Sequence, residues 1–532
     1  MRLAPLALLL VFTLASAPSP QSTYDDLVAL FQEWRAFQRP GLSGGVPDYS
    51  AAAMAAQHVA LQAWRQRLEA IDPSGWSVPQ RVDGRLVRAE MDGFDFDHRV
   101  LRPWANNPAF YVTVFSSQSD QPAREGPHAF GSVELWTYTF PLVEARATEM
   151  ERGLRMVPPL LESARQNLVG DGADLWRFSV GSVREQSAAL ERLLPRVADA
   201  PATLREAVTK AKEATDAFAV WLDAQVPKKT GPSGVGVENY DWYLRHVQLV
   251  PHTWRDQVTL MQRELARAHA FLALEEERNA GRPPQEPIAS AAEYERQMQE
   301  AISSYMAFLR DRRILTVREY MEPSLRARVG RFNPGPREFF SEVDYRDPTV
   351  MRTHGFHWFD LARLEHAPHR SPIRRRPLLY NIFVTRTEGH ATGWEEMMLE
   401  AGMFDERPRS RELIYILLAQ RAARALGDLR MHANEHTLEQ AAQFTSARTP
   451  RGWLRLEGRL VRSEQHLYLQ QPAYGTSYVA GKIQIEDLLA AYRRQKKNAF
   501  TLQQFMDDFD AVGLIPVSLI RWELTGEDEL GR

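Results

Sequence analysis

Half of the chain's 14 histidines fall in one stretch: His354, His357, His366, His369, His390, His432 and His436. Glu388 and Glu395 stand among them. Imidazole nitrogens and carboxylate oxygens are the donors of a catalytic metal and the groups of a general acid–base site. They are also common on solvated helix faces, so each pattern has a chemical reading and a plain one.

Thr387-Glu388-Gly389-His390 opens a predicted helix, and Glu395 follows Glu388 by two turns on the same face. The chemical reading is a metal ligand backed by a second carboxylate. The plain one is that Glu388 answers the positive helix start after Thr387 and Glu395 is solvated. Arg424, Asp428 and His432 recur at steps of four. Asp428 could fix the His432 tautomer and Arg424 could hold Asp428, or the three form an ordinary ion-pair stripe ending at a helix C-terminus. His432-Ala433-Asn434-Glu435-His436 matches the H-x-x-E-H zinc motif, which needs one continuous helix. Thr437 and Gln440 make a capping box that starts a new helix, so the motif is expected to be broken. His354-x-x-His357 and His366-x-x-His369 are spaced at three, where helical zinc pairs use four. Tyr474 and Tyr478 flank a Gly/Ser stretch and could donate to an oxyanion or simply pack.

These residues need a scaffold, and helical periodicity dominates the sequence. Tyr24 to Phe37, Ala51 to Ile71, Arg81 to His98, Thr203 to Leu222 and Ala291 to Arg312 read as helices. Trp254, Val258, Met261, Leu265, Ala268 and Leu272 form a clear apolar stripe. Ser182 and Glu185 have capping-box spacing before a helix to Leu194. Arg39 to Tyr49, Pro227 to Gly236, Gly281 to Pro287 and Gly330 to Arg337 read as connections. Arg102 to Gln121 is irregular, broken by Pro103, Asn106, Asn107 and Pro108. Strand patterning is confined to Tyr111–Ser117 and Leu378–Thr385.

Composition narrows the class. The chain has 532 residues, 25% of them charged, and a net charge of -3, which gives no basic surplus for nucleic acid. Cysteine is absent, which excludes disulfides, thiolate zinc sites, a cysteine nucleophile and a lipidated cysteine. Arg2, the apolar run Leu3 to Leu14 and Ala15-Ser16-Ala17 read as a secretory signal over residues 1–17. No later stretch is apolar enough to span a membrane.

Glu388-Gly389-His390-Ala391, Arg424 to His432, and Pro472 to Tyr478 with Gly481-Lys482 carry a resemblance. So does Leu86 to Tyr111, with Arg102-Pro103-Trp104 and Asn107-Pro108. The chain resembles the domain-of-unknown-function 885 family, secreted helical bacterial proteins similar to gluzincin metallopeptidases. That family shows H-E-x-x-P-G-H, then E-G-W-A, then D-x-G-x-H and P-G-Q-A-x-x-Y. The H-E-x-x-P-G-H signature is missing here: placing Pro368 on its proline puts Leu364 and Arg370 on the histidine positions, and only Glu365 matches.

The expected architecture is mainly α, a large helical array around a central cleft with a minor β hairpin, forming a single domain over residues 24–525. The resemblance implies a secreted or periplasmic metallopeptidase-like protein acting on small peptides. Zinc would be held by Glu388 with some of His354, His357, His366 and His369. Glu365 would serve as base, His432 and Tyr478 as oxyanion donors, and Arg424 and Asp428 as their supports. The alternative is an inactive relative that binds a peptide or small molecule in the cleft.

Overall fold

A computed structural model describes residues 23–531; the expected signal segment lies outside the described residues. The fold is mainly α, with two sheets of two strands each among the described residues. Leu42–Ser43 pairs antiparallel with Val46–Pro47, and Val114–Phe115 pairs parallel with Val133–Glu134. The second pair takes up only part of the predicted Tyr111–Ser117 strand. The other predicted strand, Leu378–Thr385, is instead a tight turn at Leu379–Asn381 running into a helix at Val384. Its apolar run is buried on all sides, and a short buried helix start and a buried strand look alike in sequence.

Most predicted helices are present within a few residues, including Tyr24–Phe37, Ala51–Glu69, Val78–Phe96, Trp254–Arg278 and Ala291–Asp311. The proposed cap at Ser182 is not a cap. Ser182 sits inside Ala173–Leu193, a helix long enough to cover it because its stripe begins at Trp176.

Among the described residues two large apolar cores form, with a small third cluster of Ile288, Tyr294, Met298 and Tyr345. One gathers the N-terminal helices, Trp254–Arg278 and nearly everything after Ile302. The other is built by Trp104 to Leu222 together with Tyr49 and Met54. Through the first core runs Pro408–His432, a 25-residue helix buried on every face from Leu413 to Leu429. Its run Leu413-Ile414-Tyr415-Ile416-Leu417-Leu418-Ala419 is apolar all round, as a helix enclosed by neighbours must be. Pro408 opens it without losing a hydrogen bond, and it ends at His432 before Asn434 at φ 57°. Thr437 caps the next helix through the predicted box with Gln440, so H-x-x-E-H runs off the helix end at His432 into the turn that holds Glu435 and His436.

Candidate metal centre

The site forms where two helices touch at glycines. Val384–Glu400 crosses Tyr474–Lys496 at Gly389 and Gly481. A methyl on Gly389 would lie 2.4 Å from Gly481 Cα, and one on Gly481 would lie 2.1 Å from the Thr385 carbonyl oxygen. This contact sets Glu388, one residue before the crossing, against Tyr474 at the start of the facing helix. The helix begins at Val384, three residues earlier than Thr387, so Glu388 is not answering a helix start. From Val384 to Glu395 every residue is buried. Burying so many polar groups costs stability unless each is partnered. Arg386 meets Asp360 and Asp510, and Thr387 donates to Gln121 Oε1 at 2.6 Å. His390 packs among Phe356, Trp394 and Phe509, an aromatic filler where the family pattern has tryptophan.

Glu388 is 2% exposed. Tyr474 donates to its Oε1 at 2.6 Å, and Gln121 Nε2 donates to the same oxygen at 3.1 Å. His357 Nε2 approaches Glu388 Oε2 at 3.3 Å, off the line of a hydrogen bond, and both atoms are buried with no hydrogen-bond partner. Burial resists ionisation of Glu388, but His357 and Tyr474 outweigh it and hold the carboxyl at about 2. Burial likewise disfavours a charged His357, yet Asp120 and Glu388 push it up to about 9. The pocket therefore favours positive charge.

His354 closes the helix Pro348–His354 and His357 falls in the first turn of the next, Phe356–His366. The break at Gly355 turns a spacing of three into two imidazoles with ring centres 5.0 Å apart. Donor atoms of Asp120, His354 and His357 all lie within 4.8 Å of one another. His354 Nδ1 is 3.1 Å from both Arg421 Nη2 and Glu395 Oε1, and Arg421 grips Glu395 through two bonds of 2.6 and 2.7 Å. A carboxylate behind a histidine is the usual device for orienting a metal-binding imidazole.

Arg424 does not hold Asp428. It pairs with Glu464, and its guanidinium lies 4.0 Å from the centre of the Tyr478 ring. The Tyr478 hydroxyl has no hydrogen-bond partner among the described residues. Asp428 accepts from the Tyr240 hydroxyl at 3.4 Å and packs against the start of the Tyr474–Lys496 helix; burial pushes its carboxyl well above the usual carboxylate range, against the pull of the backbone N–H groups nearby. Gly475 is required there, because a methyl would sit 2.9 Å from Asp428 Cβ. His432 is 3.6 Å from Asp428 and is committed elsewhere: Nε2 donates to the Tyr468 carbonyl at 2.9 Å and Nδ1 accepts from Val235 N at 3.4 Å. With both nitrogens occupied and burial holding it near 4, His432 is a neutral strut with no proton to offer an oxyanion.

Glu365 and His366 are exposed, and the His366 ring stacks on Tyr320. His369 Nδ1 accepts from Ser371 N at 3.0 Å. None of the three meets Glu388. Sequence reasoning missed Asp120 and Gln121, which ride a loop without regular structure from Ser116 to Ser132. The available signal was that loop's length, since long loops in packed domains usually carry function. The same loop brings Glu125, whose carboxyl is pushed up to about 7 by burial and by Asp120.

Residues 38–357 and 357–524 match the family described as "Bacterial protein of unknown function (DUF885)", and the chain belongs to it. Two solved structures share the fold. One, a candidate lipoprotein of unknown function from Shewanella oneidensis, has a TM-score of 0.70 at 16% identity and covers 95% of this chain and 100% of its own. The other, a candidate lipoprotein from Colwellia psychrerythraea, has a TM-score of 0.63 at 14% identity, covering 95% and 99%. No curated protein matches the chain. No helix among the described residues is long and apolar enough to cross a membrane.

Proposed function

We propose that this is an exported metal-dependent hydrolase of small peptides, with zinc held by His354, His357 and Asp120 beside Glu388, which would leave a fourth position open for water. The observation that carries the reading is the facing pair His357 Nε2 and Glu388 Oε2, buried 3.3 Å apart without a hydrogen bond, beside the Asp120 and His354 donors. Two imidazoles with carboxylates are a zinc donor set. Bound there, zinc would polarise a carbonyl and acidify water. The chain's own groups supply the rest. Tyr478, whose hydroxyl is uncommitted, and Arg424 stacked on it face the developing oxyanion. Tyr474 and Gln121 hold Glu388 in place. The exposed Glu365 leaves the role of base to Glu125, which carries no ion-pair partner among the described residues. The signal-like N-terminus, and the description of both structural relatives as candidate lipoproteins, support export.

One feature favours the inactive alternative. Gln121 lies between His357 Nδ1 and Glu388 Oε1, as an amide does in a closed polar network. The deciding measurement is elemental analysis of the purified protein with peptide hydrolysis before and after chelation. About one zinc per chain, lost in His357→Ala and Glu388→Ala together with hydrolysis, is expected. A metal-free, inactive protein that still binds peptide would establish the scaffold reading instead.

A further inference from the structure

A second compartment lies behind the Ser116–Ser132 loop. It is a cavity of about 430 Å³ between the helical turn Asp97–Leu101, the strap Pro377–Asn381 and loop residues Ala123 to Ser132. Its walls are mostly apolar and aromatic, among them Phe94, Trp104, Phe110, Tyr243, Leu378 and Leu379. That is the size and character of a small-molecule pocket.

Within these walls stands Asp97. Its carboxylate has no hydrogen-bond or ion-pair partner among the described residues. The nearby cations are committed elsewhere: Arg99 to Asp95, Arg124 to Glu134 and Arg35 to Glu90. His98, on the same wall, donates Nδ1 to the Phe94 carbonyl at 2.8 Å, which leaves Nε2 as a buried acceptor with no donor. Two polar side-chain groups without partners line one apolar cavity.

The backbone around them is also unusual. Arg102 N–H bonds to the Asp97 carbonyl at 2.7 Å, closing a π-type turn, and Arg102 is left-handed at φ 41°. π-turns are rare and concentrate at functional sites. On the opposite wall Tyr380 and Asn381 are consecutive left-handed residues, φ 57° and 48°. Such residues are strained and cluster where ligands are clamped. Gly93 makes room for this strap, since a methyl there would lie 2.4 Å from Tyr380 Cδ2.

We propose that this cavity binds a primary amine on an apolar body, with the ammonium held by Asp97 and His98 Nε2 and the body among the aromatic walls. The site is separate from the zinc reading and stands without it. Burial pushes Asp97 up to about 8, so its carboxyl carries a proton at neutral pH when the cavity is vacant. The groups facing it do not supply a counter-charge. His98 is held neutral near 4, the Tyr243 and Tyr380 phenols are raised, and Glu90 is spent on Arg35. Seating an ammonium ionises Asp97, and the proton leaves to solvent.

The test is calorimetry of the full chain with 2-phenylethylamine at pH 7 in two buffers of different ionisation enthalpy, with 2-phenylethanol as the uncharged isostere. Amine binding with release of about one proton, at least tenfold tighter than the alcohol and unaffected by chelator, is expected. Asp97→Asn should keep its melting temperature, weaken amine binding at least tenfold and abolish proton release. Leu379→Trp, which fills the cavity and leaves Asp97 in place, should also lose the amine. Equal binding of amine and alcohol, no binding at millimolar amine, or Asp97→Asn binding unchanged would each overturn the assignment.

Discussion

Gly389 and Gly481 stand back to back where the Glu388 helix meets the tyrosine helix, so close that neither tolerates a methyl. Gly481→Ala must push its new carbon off the Thr385 carbonyl, separating the helices and drawing Tyr474 from Glu388. Overpacking of this kind costs about 1–3 kcal/mol. Urea unfolding should show that loss, and zinc retention should fall with it.

Glu395 reaches the candidate centre only through His354. Glu395→Gln keeps the shape but removes the charge behind that imidazole. Zinc affinity should drop by about 10- to 100-fold while the other donors stay in place. A competition titration against a chromophoric chelator reads this directly; an unchanged affinity would place Glu395 with Arg421 as a purely structural pair.

His432 gives a pH signature. Its folded value near 4 lies below the unfolded value of about 6.5, so the unfolded chain takes up the proton first as pH falls. Its contribution is complete above about 6.5 and is lost as pH falls toward 4. His432→Gln can still donate to the Tyr468 carbonyl but does not titrate. Between pH 6.5 and 4 its stability should fall less steeply than wild type, by up to about 1.4 kcal/mol per pH unit.

Arg424 is buried against Glu464 and over Tyr478. Removing it strands a buried carboxylate, at a cost of about 3–5 kcal/mol. Arg424→Met should show that loss in chemical unfolding, and Glu464→Gln on the same background should recover much of it. Hydrolysis should not return in the double variant, because the cation over Tyr478 is gone.

The helices were legible because their apolar stripes repeat at 3.6 residues, as in Trp254–Arg278. The Thr437 cap and the broken H-x-x-E-H were legible because capping is local. What escaped is not local. Asp120 comes from a loop more than 200 residues before His354, with no periodicity to announce it. The Arg424–Asp428–His432 stripe was a true stripe wrongly joined: its members share a face but reach out to Glu464, the Tyr474 helix start and the Tyr468 carbonyl. The His366 pair looked equivalent to the His354 pair in spacing. Only the break at Gly355 and the burial of His357 separate them.

The Pro408–His432 helix serves as the keel of the molecule. Arg421 and Arg424 each moor it to a different neighbour, the first to Glu395 and the second to Glu464. Neither of those neighbours can peel away without leaving a charge marooned in oil. The parts moored to it are thus bound to come apart together, in one concerted collapse rather than plank by plank.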